Sequence, residues 1–412
     1  MNNARKEVWI ADVDGAKIRS LSGGANQSGL RDYNERLLLS MLQRNGPMPG
    51  SDLARKAGLS PQTVSVILRK LENDGLLKRG DPMRGKVGKP SIPMALNPDG
   101  VFSFGLNIGR RKATLLLLDF EGKTRAKCTT RYAYPMPGQI FGFLRDSYEE
   151  IASSLPPDHA ARVCGMGIAA PFELWNWHEL VGAPAQEVAR WRNVDFQAEV
   201  SEICDLTAFV VNDATAACRA EHIYGRGKEF RDYAYFFIAA FVGGGIVLNH
   251  SVFEGHRGNA GALGSLRSVG PNGESRQLID IASIHLLEAR LAEVGIDPAR
   301  LWTQPQDWSA YARYVEPWIR QTAQELAKAA LSTCSVIDFE AIVIDGGFPA
   351  DVKETLVART RRYLSNQDKR GLILPQVEAG EIGGNAREIG AASSPILSQY
   401  LLDTNAGLSD LA

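Results

Sequence analysis

Leu59 to Leu77 reads LSPQTVSVILRKLENDGLL. Ser60 has the chemistry of a helix N-cap, and Pro61 suits the first helical position, where a missing N–H costs nothing. Val64, Ile67, Leu68 and Leu71 recur at helical spacing and make one apolar stripe. Gln62, Thr63, Ser65, Val66, Arg69 and Lys70 fall on the opposite side, and Gly75 offers a cheap left-handed stop. Short polar side chains on the first turn, followed by cations, suit a helix that enters the DNA major groove N-terminus first. A solvated surface helix would show the same pattern, so the flanking sequence has to decide.

Upstream, YNERLLLSMLQ (Tyr33 to Gln43) has a helical apolar pattern that Asn45-Gly46-Pro47 breaks. Ser51 to Ala57 reads as a short second helix, capped by Ser51 and ended by Gly58. Helix, short helix, turn and recognition helix is the helix-turn-helix order. Downstream, LLKRG and SIPMALN flank a glycine-rich basic loop and read as the two strands of a β-hairpin wing. Its tip, Arg84 to Pro90, is cationic, and Arg84, Lys86 and Lys89 are expected at phosphate or the minor groove. Between Leu30 and Leu96, twelve Lys and Arg face six Asp and Glu, a surplus of six in a chain whose net charge is −1. A basic module on an acidic body fits a DNA reader joined to a sensing domain.

The 412 residues suffice for two or three domains. Five scattered cysteines with no CxxC pairing point to a reduced, cytoplasmic protein. No apolar leader and no run of about 20 apolar residues is seen, so no membrane partner is expected. Residues 1–29 are expected to be a flexible arm, with VWIADV (Val8 to Val13) loosely packed or a short strand. Residues 30–98 form the DNA-binding domain and 99–412 the body.

In the body, FSFGLNIG, ATLLLLDFEG and AKCTTRYAY read as three successive strands. A helix from Gly138 to Ser154, the strand VCGMGIAAP, a helix near Phe196 to Ile203 and the strand TAFVVNDA follow. DATAACRAEHIYG reads as a small-residue helix, YAYFFIAAFVGGGIVLN as a hairpin, Pro317 to Ile337 as a long helix, EAIVIDGGF as a strand into a glycine turn, and Ala386 to Tyr400 as a closing helix. Repeated strand sets, each followed by a helix, suggest a duplicated α/β body with a cleft between its halves.

The run from RLLLSML to LLKRG, then GKP and ALNPDG, resembles the DNA-binding end of the ROK family (repressors, open reading frames, kinases). VVNDATAA, VGGGIVLN, GNAGALGSL and VIDGGF resemble that family's sugar-kinase-like body. The resemblance implies an α/β protein: an N-terminal winged helix-turn-helix followed by a two-lobed actin-like (ribonuclease H-like) domain. Lobe 1 would take about 99–212 plus 390–412, and lobe 2 about 213–389. Family regulators bind operators as dimers or tetramers and respond to sugars or sugar phosphates.

Set against the family's kinases, the phosphate motifs are damaged. Where Asp-x-Gly-Gly-Thr helps hold Mg²⁺ and phosphate, this chain has Asn107-Ile108-Gly109-Arg110-Arg111. Where Gly-Thr-Gly precedes Val-Gly-Gly-Gly, it has Ala239-Ala240-Phe241. No catalytic residue and no cofactor is therefore expected. Asp213 matches the family's catalytic base and is expected, with Asn212, to hydrogen-bond a sugar hydroxyl; alternatively the pair only caps the helix from Ala214.

The resemblance also implies Ala-Gly-Glu-x-Gly-His and a cysteine cluster that holds zinc. Ala262 and Ser265 replace the glutamate and histidine, the cysteines are absent, and Ile279 falls at a further glutamate. No metal is expected, because zinc needs about four converging ligands. Glu254 and His256 are second-tier effector candidates, and Trp175, Trp177 and Trp191 could stack on a sugar face.

The expectation is a homodimeric or homotetrameric repressor of carbohydrate-uptake or catabolic genes that binds a double-stranded DNA operator and a sugar-like effector. The alternatives are an ATP-dependent sugar kinase with an appended DNA-binding domain and a ligand-blind DNA-binding oligomer.

Overall fold

The computed structural model describes residues 27–81, 92–178, 182–269 and 273–402. Val8 to Val13 and the wing tip with Arg84, Lys86 and Lys89 lie outside them. The chain divides into two compact units: one runs up to Val211 and resumes at Ala391, and the other is Asn212–Gly390.

The first unit opens with α1 (Gln27–Asn45), β1 (Met48–Pro49), α2 (Gly50–Ala57), α3 (Pro61–Asn73), β2 (Leu77–Arg79) and β3 (Pro93–Leu96). Helix α1 starts earlier than its apolar pattern, so Gln27 to Gly29 are helical. Ser51 does not cap α2. The N-cap is Pro49 without a side-chain bond, because Met48 and Pro49 pair with β3 and the helix begins one residue sooner, at Gly50. Ser60 does cap α3: its side chain accepts the Thr63 N–H at 3.1 Å. Val64, Ile67, Leu68 and Leu71 are all buried. Each such side chain is worth about 1.5–3 kcal/mol when fully buried, so this stripe fixes the roll of α3 and hence which residues face outward. Strands β2 and β3 pair antiparallel, Leu77 opposite Leu96, and form the stem of the wing.

The rest of this unit is a five-stranded sheet. Strands β4 (Phe102–Ile108), β5 (Lys112–Asp119) and β6 (Thr124–Arg131) form an antiparallel meander. After α4 (Pro137–Ser154), β7 (Val163–Ala170) returns parallel to β4; α5 (Phe196–Cys204) and β8 (Ala208–Asn212) follow. The strand order is β6-β5-β4-β7-β8.

Helix α6 (Asp213–Tyr224) opens the second unit. Strands β9 (Tyr233–Ile238), β10 (Val242–Leu248) and β11 (Ser251–Phe253) repeat the antiparallel meander. A small hairpin, β12 (Arg267–Val269) with β13 (Ser275–Gln277), then leads to α7 (Ile284–Glu293) and α8 (Ala312–Cys334). Helix α8 starts five residues before Pro317, the start the sequence suggested; Val315 and Trp318 are both buried, so core packing carries the helix through the proline. Strand β14 (Ala341–Gly346) lies parallel to β9, and β15 (Gln376–Ala379) follows α9 (Ala350–Ser365). The order β11-β10-β9-β14-β15 repeats the first sheet, third strand first. Tyr233 to Ile238 is buried along its whole length, as the apolar run of a central strand requires.

Helix α10 (Ala386–Tyr400) closes the fold and belongs to both units, which divide between Gly390 and Ala391. In the first unit Arg36 of α1 donates to the carbonyls of Leu397, Ser398 and Leu401, and Leu402 N donates to Ser40 Oγ at 2.8 Å. A guanidinium thus covers the orphan carbonyls of a helix C-terminus, where a cation is favoured.

Candidate nucleic-acid interface and effector site

Because α3 buries one stripe, the opposite face is fixed. Gln62, Thr63, Ser65, Val66 and Arg69 are all exposed. Lys70 is different. Its Nζ lies 2.6 Å from Glu35 of α1, which is 3% exposed and also has Arg31 at 3.4 Å. Lys70 therefore neutralises a buried carboxylate, which sets it apart from Arg69 beside it. Among neighbouring cations, Arg79 pairs with Glu72 at 2.7 Å and Lys78 lies 3.9 Å from Glu121. The Arg79 guanidinium holds the Glu72 carboxyl below the usual range.

The effector candidates lie in the second unit. Asn212 is the N-cap of α6, its Oδ1 accepting from Ala214 N at 3.0 Å and Thr215 N at 3.2 Å. Its amide oxygen is thus engaged by the helix start. Asp213 is 3.1 Å from Arg387 of α10, and the Arg387 guanidinium lies 5.4 Å over the Phe237 ring. Glu254 is the ion partner of Arg219, which is 8% exposed. His256 is exposed, and so are Ala262 and Ser265. Ile279 is buried, while Asp280 accepts from Gln277 N. His285 lies 3.0 Å from the Ala240 carbonyl. Asn212, Asp213 and Arg387 are thus brought together at one end of α6, whereas Glu254 is held by Arg219 as a structural counter-ion. Sequence reasoning missed Arg387, Arg219 and Glu35; two of the three are charged residues inside apolar helical patterns, which is the signal that could have found them.

The tryptophans are mostly scaffold. Trp191 is 3% exposed, donates to Pro135 O at 2.9 Å and stacks on Phe196. Trp177 donates to Phe172 O at 2.9 Å. Trp175 is half-buried with Arg192 5.9 Å over its ring.

The glycines of β10 do packing work. A Cβ on Gly243 would lie 2.6 Å from the Ala214 Cβ, and one on Gly245 2.7 Å from the Cys218 Sγ, so these glycines let β10 approach α6. Asp345, ahead of Gly346-Gly347, is fully buried; Lys353 reaches it at 3.2 Å and Gly383 N donates to it at 2.6 Å. Glu221 is equally buried and accepts from Arg226 N, Glu381 N and Ile382 N. Burial and the nearby Asp345 charge push its carboxyl up. At the first phosphate position Asn107 is 1% exposed and its side-chain amide finds no hydrogen-bond partner among the described residues.

All five cysteines are free thiols. Burial pushes Cys164 up to about 12 and Cys204 and Cys334 to about 11, so these three are un-ionised at neutral pH. Among the described residues no group of three His, Cys, Asp or Glu is placed to hold a metal, and no helix is long and apolar enough to cross a membrane.

Comparison with known proteins places this architecture. A family model described as ROK family matches residues 103–394. The chain belongs to the ROK family. A winged helix-turn-helix DNA-binding model matches residues 31–78, which contain α2 and α3 and reach into β2. The ROK chain is 26% identical over 267 residues to NagC, a DNA-binding transcriptional dual regulator of Escherichia coli, covering 61% of this chain and 62% of that protein. It is 23% identical over 242 residues to a xylose repressor of Bacillus spizizenii, covering 59% and 62%. The match thus spans about three fifths of these curated relatives' length. It is also 31% identical over 280 residues to the bifunctional enzyme NanE/NanK of Brucella melitensis, covering 67% of this chain and 44% of the enzyme. Among solved structures, a ROK family transcriptional regulator homologous to the Escherichia coli MLC protein shares the fold at a TM-score of 0.64 and 18% identity, covering 90% of this chain and 97% of that one.

Proposed function

We propose that this ROK protein is a cytoplasmic transcriptional regulator: a repressor of carbohydrate-uptake or catabolic genes that binds its operator as a homodimer or homotetramer. It responds to a sugar-like effector and transfers no phosphate. The observation that carries the reading is α3 itself, a capped helix pinned by four buried side chains and presenting Gln62, Thr63, Ser65, Val66 and Arg69 outward. Membership in the ROK family and similarity to NagC and a xylose repressor support it. Loss of phosphate function is supported by Asn107-Ile108-Gly109-Arg110-Arg111 and Ala239-Ala240-Phe241, which stand where the family's kinases carry their phosphate motifs.

The effector would engage Asp213 by displacing or sharing Arg387, since a half-buried carboxylate edge can accept a hydrogen bond from a hydroxyl. Helix α10 carries Arg387 on Asp213 in the second unit, and its last carbonyls accept from Arg36 of α1 in the first. A ligand that binds one arrangement of this helix better than another shifts operator affinity by the same differential.

The test is operator binding with and without a panel of sugars, polyols and sugar phosphates, beside a coupled ATPase assay. One sugar should release DNA in the parent and fail to do so in Asp213→Asn, with no sugar-dependent ATP turnover. Turnover with any sugar would favour the kinase reading, and release by none the ligand-blind oligomer.

A further inference from the structure

We propose that α3 reads the 5-methyl group of thymine, through Val66 and the methyl of Thr63. This rests on the DNA-binding reading above and adds which chemistry in the major groove the helix selects.

Val66 is 51% exposed, whereas Val64, Ile67 and Leu68 beside it are buried. Isolated exposed valines are ordinary on protein surfaces. This one occupies the centre of an otherwise polar face, four residues after Gln62 and three before Arg69, and such neighbours share one side of a helix. Valine has no hydrogen-bonding atom to offer a base. The apolar group that base pairs put into the major groove is the thymine C5-methyl, so this is the feature Val66 can recognise there.

Thr63 supplies the second observation. Its Oγ1 lies 2.8 Å from Ser60 Oγ, and its backbone N–H donates to that same oxygen at 3.1 Å. The hydroxyl is engaged by the helix cap, while the residue remains exposed. With its hydroxyl tied to the cap, Thr63 offers a base its methyl group, three residues before Val66 on the same side. Gln62 beside them carries the amide that pairs with adenine N6 and N7. An adenine with its paired or adjacent thymine would satisfy Gln62, Thr63 and Val66 together.

The experiment starts from the full-length protein and a random double-stranded DNA pool, from which bound sequences are enriched. Each thymine of the enriched site is then replaced singly by deoxyuridine, which removes only the methyl. Affinity is read by fluorescence anisotropy for the parent, Val66→Ala and Thr63→Ser; the last keeps the capping hydroxyl. We expect deoxyuridine at one or two thymines per half-site to weaken the parent about fourfold, the worth of one buried methyl. At each such thymine the penalty should vanish in Val66→Ala or in Thr63→Ser. Unchanged thermal melting of both variants would show that the fold is intact. Deoxyuridine tolerated at every thymine, or a penalty that persists in both variants, would overturn the inference while leaving DNA binding standing. Enrichment of no sequence at all would overturn the DNA-binding reading and the inference with it.

Discussion

Arg69 and Lys70 are adjacent cations on one helix, and their surroundings give them different work. Arg69 is exposed, whereas Lys70 sits on the buried carboxylate of Glu35. Arg69→Ala is therefore expected to weaken operator binding and leave melting unchanged. Lys70→Ala should do the reverse. It strips Glu35 of its closest counter-ion, and with Arg31 remaining and Lys70 partly exposed the cost is about 1–3 kcal/mol of stability by urea unfolding. Equal loss of affinity in both variants, with no loss of stability in the second, would show that Lys70 contacts DNA after all. The helical pattern made the side of α3 on which Lys70 falls readable. The pattern could not say that a carboxylate 35 residues upstream would claim it, because charge pairing between helices has no local signal.

At the scale of elements, α3 and the sheets were legible because capping and periodicity are local. Ser60 caps α3 as its chemistry requires, and the all-apolar run Tyr233 to Ile238 is the central strand of its sheet. The start of α2 was misread at Ser51, since a two-residue strand fixes the chain just before it. The Val242 to Gly245 run was legible as glycine but not in its use: a sequence does not show which backbone approaches a glycine. Gly243→Ala tests that use. The added Cβ would lie 2.6 Å from that of Ala214, so β10 and α6 must part. A loss of about 1–3 kcal/mol is expected in thermal or urea unfolding. An unchanged midpoint would mean that this contact is slack and that the glycine is kept for another reason.

The two five-stranded sheets share one strand order, which the repeated strand sets of the sequence foreshadowed. The buried charges within the second unit were not foreshadowed. Glu221 and Asp345 are both fully buried, and burial together with the Asp345 charge pushes the Glu221 carboxyl up. A group whose folded-state pKa is raised favours the folded chain below the unfolded value and loses that contribution as pH rises through the folded value. Relative to Glu221→Gln, the parent should therefore lose melting temperature as pH is raised from about 4.5 towards 7. A difference that stays constant with pH would mean that Glu221 ionises as freely folded as unfolded.

Everything proposed for this protein depends on α3 reading DNA sequence. The most direct measurement is fluorescence-anisotropy titration of DNA from upstream of the protein's own coding sequence, at two salt concentrations, with random DNA as control and Arg69→Ala beside the parent. The account predicts tight binding that survives competition by random DNA, weakens as salt rises because phosphate contacts release counterions, and is reduced in Arg69→Ala. Binding that is absent from every upstream segment, or equal on random DNA and indifferent to Arg69, would contradict it.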